Sequence, residues 1–174
     1  MELRWRAFRL VPWVFTGWER FYLRLHPIQP IRERALFAVS RKGDALELHL
    51  LSRQLNRMRG GSGYSTFKAL HVMREDLAIL AARLRSGDFA GVAEIRAKTL
   101  MGEAASVLGF HTRVAPRNLA NAFQQYFQVG LDAIYHPRGL RQRARSRWPV
   151  EIWMSVAELL ERYPVKSDSS TVAR

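Results

Sequence analysis

The chain contains no cysteine, which excludes disulfides, thiolate metal sites and a cysteine nucleophile. It is poor in acids, with 15 Asp and Glu against 28 Lys and Arg, a net charge of +13. It is also poor in lysine: only Lys42, Lys68, Lys98 and Lys166 are not arginine among those cations. Long apolar runs are missing. The longest near the start, Leu10 to Phe15, is interrupted by Pro12, far short of the roughly 18 residues a membrane span needs and too short for the apolar region of a signal peptide. A cytoplasmic location is expected, at the inner face of the membrane if the chain attaches to one. The five histidines (His26, His49, His71, His111, His136) show no zinc-site spacing. No metal and no cofactor are expected.

What is present suits one packed domain: 174 residues, 48% of them hydrophobic and 25% charged. The cationic excess favours a polyanion, either an anionic membrane surface or, as the alternative, nucleic acid. Arginine suits both, because its planar fork holds phosphate through two parallel hydrogen bonds. Five arginines and no acid occupy the strip from Arg138 to Arg147, at Arg138, Arg141, Arg143, Arg145 and Arg147. A second group, Arg53, Arg57 and Arg59, runs into Gly60-Gly61-Ser62-Gly63. Bare backbone N–H groups at Gly61 and Gly63, just ahead of a helix, suit an oxyanion. The loop lacks both the Gly-Lys-Ser/Thr ending of a P-loop and the strand–GxGxxG–helix setting of a dinucleotide site.

The first 30 residues combine arginine with aromatics. After Pro12, Val14, Trp18, Phe21, Tyr22 and Leu25 follow the spacing of one helix face. Tryptophan beside arginine is typical of helices lying in a membrane interface, so Trp13, Trp18, Phe21 and Tyr22 are candidate membrane contacts. The same helix could close the core.

From residue 31 the pattern is mixed. Leu36 to Ser40 and Ala45 to Leu51 read as strands joined by hairpin chemistry at Arg41-Lys42-Gly43-Asp44. Phe67, Leu70, Met73, Leu77, Leu80 and Leu84 predict a helix from Ser65 or Thr66 that Gly87 ends. Ala93, Ala97, Leu100, Met101, Ala104, Val107 and Leu108 predict another from about Ala90 to Leu108, with Gly109 as its C-terminal cap and Phe110 as the apolar partner of that cap. His111 to Ala115 and Val150 to Met154 read as strands. Asn118 is placed to cap a helix, and Ser155 with Glu158 forms a capping box for the last one. The predicted class is α+β: a small, mostly antiparallel sheet covered by four to five helices in a single domain. The predicted layout is a basic, aromatic segment at 1–30, the domain at 31–165 and a polar, disordered tail at 166–174.

Glu47 and His49 lie two apart on one strand and therefore on one face. A carboxylate there could hold the imidazole in one tautomer for acid–base work, which makes them the candidate catalytic pair. His71, one turn before Glu75, reads as an ordinary surface pair.

The closing segment Glu151-Ile152-Trp153-Met154-Ser155-Val156-Ala157-Glu158-Leu159-Leu160-Glu161-Arg162-Tyr163 resembles the end of the YkoP-like domain, a bacterial domain found alone or fused to polysaccharide deacetylases. Glu47-Leu48-His49-Leu50, and Thr99-Leu100 followed by Leu108-Gly109-Phe110, are similar in order and spacing. The family strand often continues with a second histidine and an asparagine, where this chain has Leu51 and Ser52. The deacetylase's own metal-binding motifs are absent. The resemblance implies a setting in cell-envelope polysaccharide metabolism, with a polysaccharide-modifying enzyme as a partner, and an accessory role more than a catalytic one.

Overall fold

Gln29–Pro30 (β1), Phe37–Lys42 (β2) and Ala45–Leu50 (β3) form an antiparallel meander. A computed structural model describes residues 28–51, 54, 66–122, 124–125 and 148–164. After β3 the chain enters helix Thr66–Arg85 (α1) and returns as Glu94–Thr99 (β4), which pairs with β3 in parallel. Parallel neighbours need a crossover, and α1 supplies it. Gly102–Val107 (α2), His111–Val114 (β5), Val150–Ser155 (β6) and Val156–Arg162 (α3) complete the order. A further helical segment begins at Leu119. The six strands run β1-β2-β3-β4-β6-β5, with every pairing antiparallel except β3–β4.

The α+β class stands, but the sheet is mixed. Among the described residues the complete helices are α1, α2 and α3, fewer than the four to five expected. The largest correction concerns 90–108, expected as one helix. The stretch Glu94-Ile95-Arg96-Ala97-Lys98-Thr99 is a strand, and only Gly102–Val107 is helical. Ile95 and Ala97 fit a period of two as well as they fit the helical spacing. The tie is broken by the two edges this strand joins: Leu46 pairs with Ile95, and Ile95 with Met154.

The strands alternate cleanly. Val39, Leu46, Leu48, Ile95, Ile152 and Met154 face α1, α2 and α3. Ala69, Met73, Leu77, Leu80 and Ala81 form the buried stripe of α1, with Leu108, Phe110 and Leu159 closing its end. Phe67, expected on that stripe, is 84% exposed.

In the middle of the stripe sits an acid. Asp76 is fully buried and its position is set by hydrogen bonds. Its Oδ2 accepts from the backbone N–H of Leu36 (2.7 Å) and of Phe37 (3.1 Å), and its Oδ1 accepts from Arg32 Nε (2.7 Å). Arg32 also reaches Glu75 at 2.9 Å. Burial raises the Asp76 carboxyl pKa, against the pull of these donors.

Helix ends are closed locally. The N–H of Gly87 bonds to Leu84 O and that of Asp88 to Arg83 O; Gly109 and Phe110 repeat the pattern on Ser106 O and Ala105 O. Both are Schellman closures, and Gly87 and Gly109 take the positive φ (93° and 94°) they require. The Ser155–Glu158 capping box is present as expected. Arg85, at the end of α1, donates to Leu160 O and, at 3.1 Å, to Tyr163 O, satisfying carbonyls at the end of α3.

Two stability outcomes follow. Asp76→Ala leaves two buried N–H groups without an acceptor and is expected to cost about 2–4 kcal/mol in urea unfolding; Arg32→Ala, at a site water can reach, should cost less. Gly109→Ala forces a Cβ into the left-handed region, where it also meets the Arg162 guanidinium. Its expected cost is about 1–2 kcal/mol, read as a lower unfolding midpoint.

Candidate functional site

The sheet has a second face, opposite α1, and its side chains follow from the register. They are Ala38, Ser40 and Lys42 from β2; Ala45, Glu47 and His49 from β3; Glu94, Arg96 and Lys98 from β4; Glu151, Trp153 and Ser155 from β6; and His111 and Arg113 from β5. Apart from the buried Ala38 and Ala45 and one aromatic, Trp153, this face is polar, and it divides into two groups.

The first group holds the sequence-derived pair. His49 and Glu47 share this face, as their spacing requires. The His49 ring nitrogen Nε2 lies 2.9 Å from Ser40 Oγ on the neighbouring strand, while Glu47 receives Lys42 Nζ at 3.3 Å. Ser40 is buried and His49 is half-buried. A hydroxyl against an imidazole is a hydrogen-bonded pair capable of proton transfer.

The second group was not singled out from the sequence. His111 Nε2 meets Glu158 Oε1 at 2.7 Å, and the other Glu158 oxygen accepts from Ser155 N and Ser155 Oγ, each at 2.8 Å. The capping box thus aims a carboxylate at an imidazole on the edge strand. His111 also stacks on Trp153, ring centroids 5.6 Å apart and planes 27° apart. Arg113 lies over the same indole at 5.7 Å and donates to Glu151 at 2.7 Å. Glu151 also faces Lys98 at 3.6 Å, and Lys98 donates to Asn121 Oδ1 at 3.0 Å. The signal available in the sequence was the tryptophan itself, alternating with Ile152 and Met154 and therefore on the polar face.

An open groove of about 460 Å³ lies at the other end of the sheet, lined by Pro30, Arg32, Glu33, Arg34, Leu51 and Gln54. The anion-contact candidates Arg57, Arg59, Gly61, Gly63, Arg138, Arg141, Arg143, Arg145 and Arg147 fall outside the described residues, as do Trp13, Trp18, Phe21 and Tyr22. Among the described residues no group of three or more His, Asp or Glu could hold a metal ion, and no helix is long and apolar enough to cross a membrane.

The charge is unevenly divided. The described residues carry thirteen cations and eleven acids; the rest of the chain carries fifteen cations and four acids. Within the described part, Arg32, Lys42, Arg83, Arg96, Lys98 and Arg113 each face a carboxylate. The surplus belongs to the other segments.

Glu158 is held down to about 2, first by His111 and then by the backbone and side chain of Ser155. Glu151 is lowered mainly by Arg113, and Glu75 mainly by Arg32. A carboxyl lowered on folding stabilises above its unfolded value, near 4.5, and that contribution is lost as pH falls toward the folded value. Asp76, raised by burial, has the opposite sign. Thermal unfolding between pH 5 and pH 2 should therefore fall more steeply for the native chain than for Glu158→Gln; parallel slopes would contradict this assignment.

Comparison with known proteins adds one match. No curated protein and no solved structure matches the chain. The family model described as the YkoP domain matches residues 38–163. That span runs from β2 to the end of α3 and takes in Glu47-Leu48-His49-Leu50, Leu108-Gly109-Phe110 and the closing strand and helix, so the chain belongs to the YkoP domain family.

Proposed function

We propose that this chain is an accessory binding protein of bacterial cell-envelope polysaccharide metabolism, held at an anionic membrane surface by its basic and aromatic flanking segments. The partition of charge carries the reading. The described residues are nearly neutral, and six of their thirteen cations face carboxylates, whereas fifteen cations against four acids lie in the rest of the chain. Cations without nearby acids attract polyanions, and each one near an anionic bilayer contributes about 1 kcal/mol. Trp13, Trp18, Phe21 and Tyr22 add the aromatic component that a nucleic-acid interface does not require. Arg57, Arg59 and the Arg138–Arg147 strip extend the same attraction. A polysaccharide-modifying enzyme is the proposed partner, and the inner face of the membrane the proposed location.

A second reading, a small enzyme with His49 and Glu47 as its acid–base pair, is favoured by one contact, the 2.9 Å approach of His49 to Ser40. In that case His49→Ala abolishes activity while the fold survives.

Co-sedimentation with vesicles tests the first reading. The chain should bind phosphatidylglycerol vesicles at low salt, bind less at high salt and ignore phosphatidylcholine. A Trp13→Ala, Trp18→Ala, Phe21→Ala variant should lose most of that binding. Gel retardation by DNA or RNA that survives in the triple variant, together with no vesicle binding by the native chain, would overturn the proposal in favour of nucleic acid.

A further inference from the structure

We propose that the open end of the polar sheet face, centred on Trp153, binds an uncharged sugar chain. This deepens the accessory role above by naming a ligand class, and it takes its polysaccharide setting from that reading.

The first observation is that this end of the face is open to solvent although β4 and β6 are central strands. Glu94, Arg96 and Lys98 on β4 are each 40% exposed, and Arg113 on β5 is 70% exposed. Trp153 lies among them, opposite His111 on one side and Arg96 on the other, and is only partly covered. Its indole is held by the His111 stack and the Arg113 guanidinium, so ordering it for a ligand costs little entropy.

The second observation is the charge pattern around it. Arg113 and Lys98 share Glu151, and Arg96 faces Glu94 at 3.7 Å. The surface around the indole is therefore balanced, with ionised donors beside ionised acceptors. A polyanion would need cations that no carboxylate already holds. A sugar hydroxyl donates and accepts at once, so paired Arg and Glu side chains satisfy both halves of it. Hydrogen bonds to charged groups are the stronger ones. The C–H face of a pyranose ring is apolar and flat enough to lie against an indole. A partly exposed aromatic within a neutral, bifunctional rim matches an uncharged sugar and mismatches a phosphate chain.

The experiment uses the full chain, labelled with ¹⁵N, and three probes: the hexamer of N-acetylglucosamine, its fully deacetylated cationic counterpart, and a thymidine oligonucleotide. The Trp153 indole resonance is assigned from the spectrum of Trp153→Phe. The neutral hexamer is expected to shift that resonance, with affinity falling at least about tenfold in Trp153→Ala and several-fold in Arg113→Ala. Trp153→Phe should retain most of the binding, and the deacetylated hexamer should bind more weakly. Arg96→Ala, at an exposed site, carries the test if Trp153→Ala does not fold. No shift of Trp153 by the neutral hexamer overturns the inference, as does a larger shift by the oligonucleotide. Vesicle binding should be unchanged in Trp153→Ala. Sugar binding without vesicle binding supports this inference and removes the membrane reading alone; vesicle binding without sugar binding removes this inference alone.

Discussion

Two backbone N–H groups, at Leu36 and Phe37, point into the core where β2 begins, and water cannot reach them. Both donate to the Asp76 carboxylate, from the middle of α1. Apolar packing has little direction, and Leu77 or Leu80 could slide along the sheet at modest cost. A buried carboxylate with two amides and a guanidinium cannot slide, because any shift leaves a charged group without its donors. This contact fixes the rotation and height of α1 over the sheet. Through α1 it fixes α3, whose last carbonyls rest on Arg85, and the crossover that brings β4 beside β3.

What could be read from the sequence was local. The α1 helix, the Gly109 closure, the Ser155 capping box and the β2–β3 hairpin each depend on residues a few positions apart. The strand β4 is hidden in the sequence because Ala93, Ala97, Leu100 and Met101 satisfy a helical spacing that only the neighbouring strands overrule. The Asp76 acid interrupts an apolar stripe and is visible in the sequence as a misfit, but its donors lie some forty residues away. The site divides in the same way. That Glu47 and His49 share a face follows from strand alternation. That His49 meets Ser40, or that His111 meets Glu158 across 47 positions, depends on register and topology, which no local pattern encodes.

The two halves of the functional reading occupy different parts of the chain. The described residues are nearly neutral and include an aromatic among paired charges; the remaining residues hold the excess of arginine over acid. Under the two proposals above, attachment and recognition draw on different residues. Unbalanced charge acts at long range and without much shape, while a balanced, ordered surface acts only at contact. Changes in ionic strength should therefore move one without abolishing the other.

The strand β6 lies between β4 and β5 although it is the last of the described strands in the sequence. As the chain is made, β4 has β3 on one side but an unsatisfied edge on the other, and β5 has no partner, until residues 150–155 follow. The sheet is thus sealed from its interior outward by a late-arriving piece. A chain terminated before Val150 would leave β5 with nothing to join.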